Sequence, residues 1–176
     1  MKKKPLVYIA GPECFQPNGK ELAEKAIQLC EEYGFEGLSP VVGHPSLPAI
    51  DFSQGKKAAA KQIFYKNISL INMCDLVIAN LNNFRGWEPD GGTCFELGYA
   101  YTQDKKLYAF MDDKRPCYEK YIGNVHFDGV FWRDDNGAFF ESGCCNLMIN
   151  APTKVVEGTF EDALKKAAED FKLQEA

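Results

Sequence analysis

Three short apolar runs limit what this chain can become: PLVYIAG at residues 5–11, DLVIANL at 75–81 and LYAFMD at 107–112. Each is bounded by turn-forming or charged residues, and such runs read as buried strands. Between them the periodicity changes to helical. Leu22, Ala26, Leu29 and Tyr33 fall near helical spacing over residues 20–33, and Gly34 is placed to end that helix. A short strand is predicted around 35–39. The following VVGHPSLPAIDFSQGK is rich in Pro, Gly and Ser and reads as a long exposed loop, a candidate lid. A second helix is predicted over 56–74 with Ile63, Ile68 and Ile71 toward the core, and a third over 93–104. TKVVEG gives a fifth strand. In the last helix Thr159 and Asp162 supply a cap, and Phe160, Ala163, Leu164, Ala167 and Phe171 form an apolar stripe. Strands alternating with helices imply an α/β three-layer sandwich: a five-stranded parallel sheet with helices on both faces and right-handed crossovers. The expected order is 2-1-3-4-5, doubly wound in the flavodoxin or Rossmann manner.

A length of 176 residues with 45% hydrophobic content suits a single domain over 1–176 with a substantial core. Residues 115–152 are the exception to the pattern. Their aromatics, among them Tyr118, Tyr121, Phe127, Phe131, Trp132, Phe139 and Phe140, lack periodicity, and an insertion packing against a partner subunit is expected there. The net charge of −5 argues against a nucleic-acid polymer as partner, because neutralising phosphates needs a basic face. A small neutral or monoanionic ligand fits better. Seven cysteines, an odd number without a CxxC pair, point to reduced thiols and a cytoplasmic setting. The start MKKKPLVYIAG is broken by Gly11 and Pro12 and does not read as a secretory signal, and no run is long enough to span a membrane. His44 and His126 stand far apart with no ligand-spaced cysteine, so no metal site is expected. GxGxxG and GxxxxGK[ST] loops are both absent.

The chemistry concentrates at one edge. The strand DLVIANL feeds the loop NNFRGWEPDGG and then a helix carrying Glu96, so a strand end, a glycine-rich loop and a helix start meet where α/β sheets bind ligands. Glycines there, Gly92 in this loop and Gly11 in the first loop AGPECF, allow close backbone approach and are counted as substrate-binding positions. Thr93 and Glu96 also match a capping box, a purely structural role. Placement in the first helical turn would keep Glu96 ionised near neutral pH, the form that attacks carbon. Asp90 is either a turn residue or the second of two carboxylates suited to glycosidic chemistry. Tyr8, on the first strand, and Phe15, beyond its end, either pack in the core or approach a bound ring from the side opposite Glu96.

Taken together, YIAGPECF, FRGWEPDGGTCFELGYA and NLM at 146–148 resemble the nucleoside 2-deoxyribosyltransferase family. The resemblance implies 2′-deoxynucleosides and free nucleobases as substrates, a role in salvage, and no organic cofactor or metal. It assigns Glu96 as nucleophile, Asp90 to handling of the base, and Tyr8 to orienting the glutamate. Asn146 and Met148 match residues that reach into a neighbour's site, the asparagine near the sugar 5′-hydroxyl. A homo-oligomer, dimer or hexamer, with shared active sites follows. Phe15 falls in a loop of variable length. Asn67 departs from the pattern, since some members carry an aspartate there. Two rivals remain: a deoxynucleoside 5′-monophosphate N-glycosidase, for which Arg85, Ser46 and Ser53 are the available donors, and a noncatalytic nucleotide-sensing module.

Overall fold

The structure, a computed structural model, describes residues 3–172. Strands β1 (Leu6–Ala10), β2 (Glu36–Leu38), β3 (Leu76–Asn80), β4 (Lys106–Met111) and β7 (Lys154–Glu157) form one parallel sheet in the order β2-β1-β3-β4-β7. This is the expected 2-1-3-4-5 arrangement, with TKVVEG as the fifth strand. Tyr8 lies opposite Val77, and Ala79 opposite Ala109. The strands are apolar throughout because both faces are covered. Leu6, Tyr8, Ala10, Val77, Ala79, Leu107 and Ala109 face α2 (Lys56–Met73) and α3 (Gly91–Tyr101). Val7, Leu76, Ile78, Tyr108 and Phe110 face α1 (Gly19–Glu32) and α6 (Phe160–Phe171).

The helix ends follow local chemistry. Gly34, at φ 81°, lets the chain turn back after α1. At the other end, a Cβ on Gly19 would lie 2.4 Å from the Glu13 carbonyl oxygen, so only glycine lets α1 start against the 3-10 turn Pro12–Phe15. The expected cap of α6 is present. The Thr159 hydroxyl accepts from the Asp162 N–H, and the Asp162 carboxylate accepts from the Thr159 N–H at 2.8 Å.

Two expectations need correction. Helix α2 buries Ala59, Leu70 and Ile71, whereas Ile63 is exposed. Eighteen residues of helix are about 27 Å long, while a five-residue strand spans about 17 Å. The N-terminal half of α2 therefore overhangs the carboxyl edge of the sheet, beyond the core that Ile63 was expected to join. Helix α3 starts at Gly91 with Asp90 as N-cap, so Thr93 and Glu96 do not form a capping box. Asp90 Oδ2 accepts from the Thr93 N–H at 2.9 Å and from its hydroxyl at 3.1 Å. The cap falls three residues earlier than read because Asp90 outcompetes Thr93 as the acceptor.

Residues 115–152 contain two single-turn helices, α4 (Cys117–Lys120) and α5 (Leu147–Asn150), and a small antiparallel hairpin, β5 (Val125–Phe127) with β6 (Trp132–Asp134). The hairpin was missed for want of periodicity. Its turn begins Asp128-Gly129, a recognisable hairpin signal, and the Asp128 carboxylate accepts from the N–H groups of Val130 and Phe131. The aromatics pack on one another: Tyr118 and Trp132 stack at 5.0 Å, and Phe131 meets Phe139 at 5.1 Å. Among the described residues no helix is long and apolar enough to cross a membrane.

Candidate active site

Short polar bonds knit together the carboxyl ends of β1, β3 and β4. The Asn80 amide donates to Glu13 at 2.6 Å, Asn80 Oδ1 accepts from the Asn82 N–H, and Asn82 Oδ1 accepts from the Asp112 N–H. The ends of β3 and β4 are thereby tied to the turn after β1. Gly11 makes this possible, since a Cβ there would fall 2.1 Å from Glu13 Oε2 and 3.1 Å from Asn80 Cβ.

At this edge the structure brings Tyr8, Asp90 and Glu96 together. Tyr8, fully buried on β1, donates its hydroxyl to Glu96 Oε1 at 2.5 Å across the interface between sheet and α3. Burial, reinforced by the neighbouring Glu96, pushes the phenol upward, so it stays protonated and remains a donor. Burial is also the main influence on Glu96, raising its carboxyl to about 7, with the Asp90 charge adding to the rise. The hydrogen bond from Tyr8 opposes it, with a smaller influence from the Asn67 amide. The helix terminus therefore does not keep Glu96 fully ionised: near neutral pH the carboxyl is divided between its protonated and ionised forms. Glu96 stands six positions beyond the N-cap, past the turn where the macrodipole acts, and desolvation prevails.

Asp90 spends Oδ2 on the cap, leaving Oδ1 outside those bonds. A Cβ on Gly92 would approach that same Oδ2 to 3.0 Å, so a side chain here would crowd the cap. Phe15 is 57% exposed, which sets aside the core-packing alternative. Its ring stacks on Phe84 at 5.5 Å, and the Arg85 guanidinium carbon lies 5.4 Å from the Phe15 ring centre and 4.7 Å from that of Phe84. Arg85 is thus a packing residue, held at φ 52°.

Asn146 and Met148 lie elsewhere. Asn146 caps α5, its Oδ1 accepting from the Met148 N–H at 3.0 Å, and Met148 is 74% exposed. Met148 lines a groove of about 540 Å³ with Leu97, Gly98, Tyr101 and Leu147.

Of two further residues near Glu96, sequence reasoning named Asn67 only as a departure from the family pattern and missed Cys14. Asn67, on α2, is near enough to Glu96 to counter the rise of its carboxyl, and its Oδ1 is buried without a hydrogen-bond partner. Cys14 sits close enough that Glu96 and Asp90, together with burial, raise its thiol. The only signal for Cys14 was its position between Gly11 and Phe15 in the first loop.

The paired tyrosine and carboxylate at a glycine-flanked sheet edge can now be set beside known proteins. The chain is 34% identical to a 2-desoxiribosyltransferase from Leishmania mexicana, with a TM-score of 0.70 over 94% of this chain and 97% of that one. It is 30% identical to an uncharacterized protein of Schizosaccharomyces pombe, over 99% of this chain and 85% of that protein. A model of the family described as nucleoside 2-deoxyribosyltransferase matches residues 7–173, a span that holds Tyr8, Asp90 and Glu96 alike. With the motifs, the sheet order and this match in agreement, the chain belongs to the nucleoside 2-deoxyribosyltransferase family.

Proposed function

We propose that this protein moves 2-deoxyribose from one nucleobase to another by a retaining double displacement through Glu96. The observation that carries this reading is the 2.5 Å bond from the Tyr8 hydroxyl to Glu96 Oε1, which holds a half-buried carboxylate in one place. Ionised Glu96 attacks the anomeric carbon of a 2′-deoxynucleoside. The bond to the base breaks as Asp90 in its protonated form, or a water held on the oxygen it does not spend on the cap, delivers a proton to the leaving nitrogen. A glutamyl-deoxyribosyl ester results. A second base attacks the same carbon and releases the carboxylate, and two inversions give net retention. Preference for the 2′-deoxy sugar is expected, because an electron-withdrawing 2′-hydroxyl destabilises an oxocarbenium-like transition state.

Phe15, backed by Phe84 and Arg85, offers an exposed ring on which a base can stack. Gly11 and Gly92 keep the backbone near that space clear of side chains. The protein assembles as a homo-oligomer in which Asn146 and Met148 complete a neighbour's site. Supporting this, Ile63, Phe64, Phe95, Tyr101, Leu147 and Met148 leave a broad apolar surface open on α2, α3 and α5. Salvage in the cytoplasm suits seven free thiols.

The 5′-monophosphate hydrolase reading loses support because its donors are committed. The Ser53 hydroxyl donates to Asp51 at 2.6 Å, Ser46 pairs with His44 at 2.7 Å, and Arg85 stacks on two rings. The test is chromatography after incubation with deoxyinosine, with and without adenine. Deoxyadenosine formed only in the presence of adenine is the expected result. Equal hypoxanthine release in both tubes would mean hydrolysis, and binding without turnover would favour the sensing module.

A further inference from the structure

Phe15 stands exposed at the end of the 3-10 turn Pro12–Phe15, where its ring meets Phe84 and the Arg85 guanidinium. Among the described residues, one side-chain hydrogen bond joins residues 11–18 to the sheet: Asn80 Nδ2 donates to Glu13 Oε1 at 2.6 Å. The polarity of that bond is settled from its far side. Asn80 Oδ1 accepts from the Asn82 N–H at 2.9 Å, and a backbone N–H can only donate, so the amide presents Nδ2 to Glu13. Asn82 Oδ1 in turn accepts from the Asp112 N–H at 2.8 Å, so Glu13 ends a chain of bonds that begins just past β4. This chain lies behind the sheet as seen from Glu96. Side chains alternate along a strand, which puts Asn80 on the same face as Leu76 and Ile78, toward α1 and α6. Glu13 borders a cavity of about 280 Å³ on that side, with Ile9, Phe110 and Phe160. Tyr8 and Glu96 meet on the other side.

We propose that Glu13 is a positioning residue for base binding: its carboxylate, anchored by Asn80, holds the turn so that the Phe15 ring stays in place against Phe84 and Arg85 to receive a base. The proposal rests on the reading of Phe15 as the stacking surface in base exchange. Glu13 and Phe15 both take hold of one segment, residues 80–85, and that segment runs on to Asp90. The stacking ring and the proton-handling carboxyl are therefore set relative to one another through a single stretch of backbone, and a small displacement of either is costly. Gly11 fits this arrangement, because the Glu13 carboxylate occupies the space a Cβ would need. Since the clamp acts from behind the sheet, its loss leaves the Tyr8 bond to Glu96 in place. The effect then falls on substrate affinity rather than on the chemical step.

The experiment reverses the polarity of the bond. Asn80→Asp keeps the oxygen for the Asn82 N–H but sets acceptor against acceptor at Glu13, and Glu13→Ala removes the acceptor outright. In both, KM for deoxyinosine and adenine is expected to rise about tenfold while kcat stays within about twofold. Glu13→Gln keeps an oxygen for Asn80 and should stay near wild type. Combining Glu13→Gln with Asn80→Asp exchanges donor and acceptor, and KM should return toward the wild-type value. Hydrogen exchange read by mass spectrometry over residues 11–19 should quicken in Asn80→Asp and slow again in the double variant. A KM unmoved in Asn80→Asp and Glu13→Ala, a kcat that falls as far as KM rises, or a double variant no better than Asn80→Asp would overturn the proposal. If Asn80→Asp does not fold, Glu13→Ala against Glu13→Gln decides by the same split. The two readings fail separately. A turn that loosens and tightens as expected in a protein without base exchange upholds the clamp and removes the transferase. Base exchange whose KM ignores every variant does the reverse.

Discussion

The two faces of the sheet are built to different ends. Toward α1 and α6 the strands present Val7, Leu76, Ile78 and Phe110 to an apolar layer, and the outer surfaces carry ion pairs such as Lys25 with Glu21 and Lys165 with Glu161. Toward α2 and α3 the same strands bury Tyr8 against a carboxylate, and the outer surfaces carry exposed Phe64, Phe95 and Tyr101. Tyr108 on the first face also meets a carboxylate, but its partner Asp170 is ion-paired with Lys154 and Lys166. On the second face burial opposes the charge of the carboxylate bonded to Tyr8 and the outer surface is apolar, an inversion of the pattern. The inversion marks where stability has been conceded. A carboxyl group whose ionisation is opposed by burial destabilises the folded state at neutral pH, and an exposed apolar surface leaves hydrophobic area in contact with water.

The comparison is broken most severely at Glu96. Glu96→Gln is expected to lower exchange on the order of 10³-fold or more, measured by chromatography on protein whose circular dichroism is unchanged. Retained exchange would remove this face from the chemistry. On the opposite face, Leu164 is fully buried on α6, and Leu164→Ala should cost about 2–5 kcal/mol in urea unfolding, with kcat preserved in the fraction that remains folded. A change in kcat as large as that of the glutamate variant would abolish the distinction between the faces.

The third prediction joins stability to pH. The Glu96 carboxyl rises from 4.5 to about 7 on folding, so between these values the unfolded chain has lost the proton that the folded one retains. Stability must then fall as pH rises through this window, by up to about 3 kcal/mol. Comparing urea midpoints at pH 5 and pH 8 should show this decline in wild type and a smaller one in Glu96→Gln. A parallel decline in both proteins would assign it to other groups. The smallest effect belongs to the cap of α6, where Thr159→Ala should cost about 1 kcal/mol without altering exchange, as thermal unfolding and initial rates would report.

Much of the fold was legible because strands and amphipathic helices announce themselves locally. The runs around Tyr8, Ile78 and Ala109 are short, apolar and bounded, and the stripe from Phe160 to Phe171 repeats at helical spacing. The site was legible as a set of residues, since Asp90 and Glu96 belong to one motif. What escaped depends on distances along the chain that no local pattern records. Ile63 was assigned to the core by periodicity, but periodicity cannot tell where a helix outruns the sheet it covers. The cap was misread because Asp90 and Thr93 compete for the same amides, and the winner is set by backbone geometry. Asn67 and Glu96 meet only once α2 and α3 lie side by side, and the protonation of Glu96 follows from a burial that sequence does not display.

The bond between Tyr8 and Glu96 joins residues 88 positions apart. A contact of that span is reached late and only after the intervening strands have paired, because closing so long a loop costs entropy before it returns any contact energy. The Tyr8–Glu96 pair therefore has no partly folded precursor: a chain that has formed its helices but not docked β1 beside β3 holds an ordinary carboxylate in water. Recovery of exchange during refolding should coincide with the final cooperative step rather than with the appearance of helix.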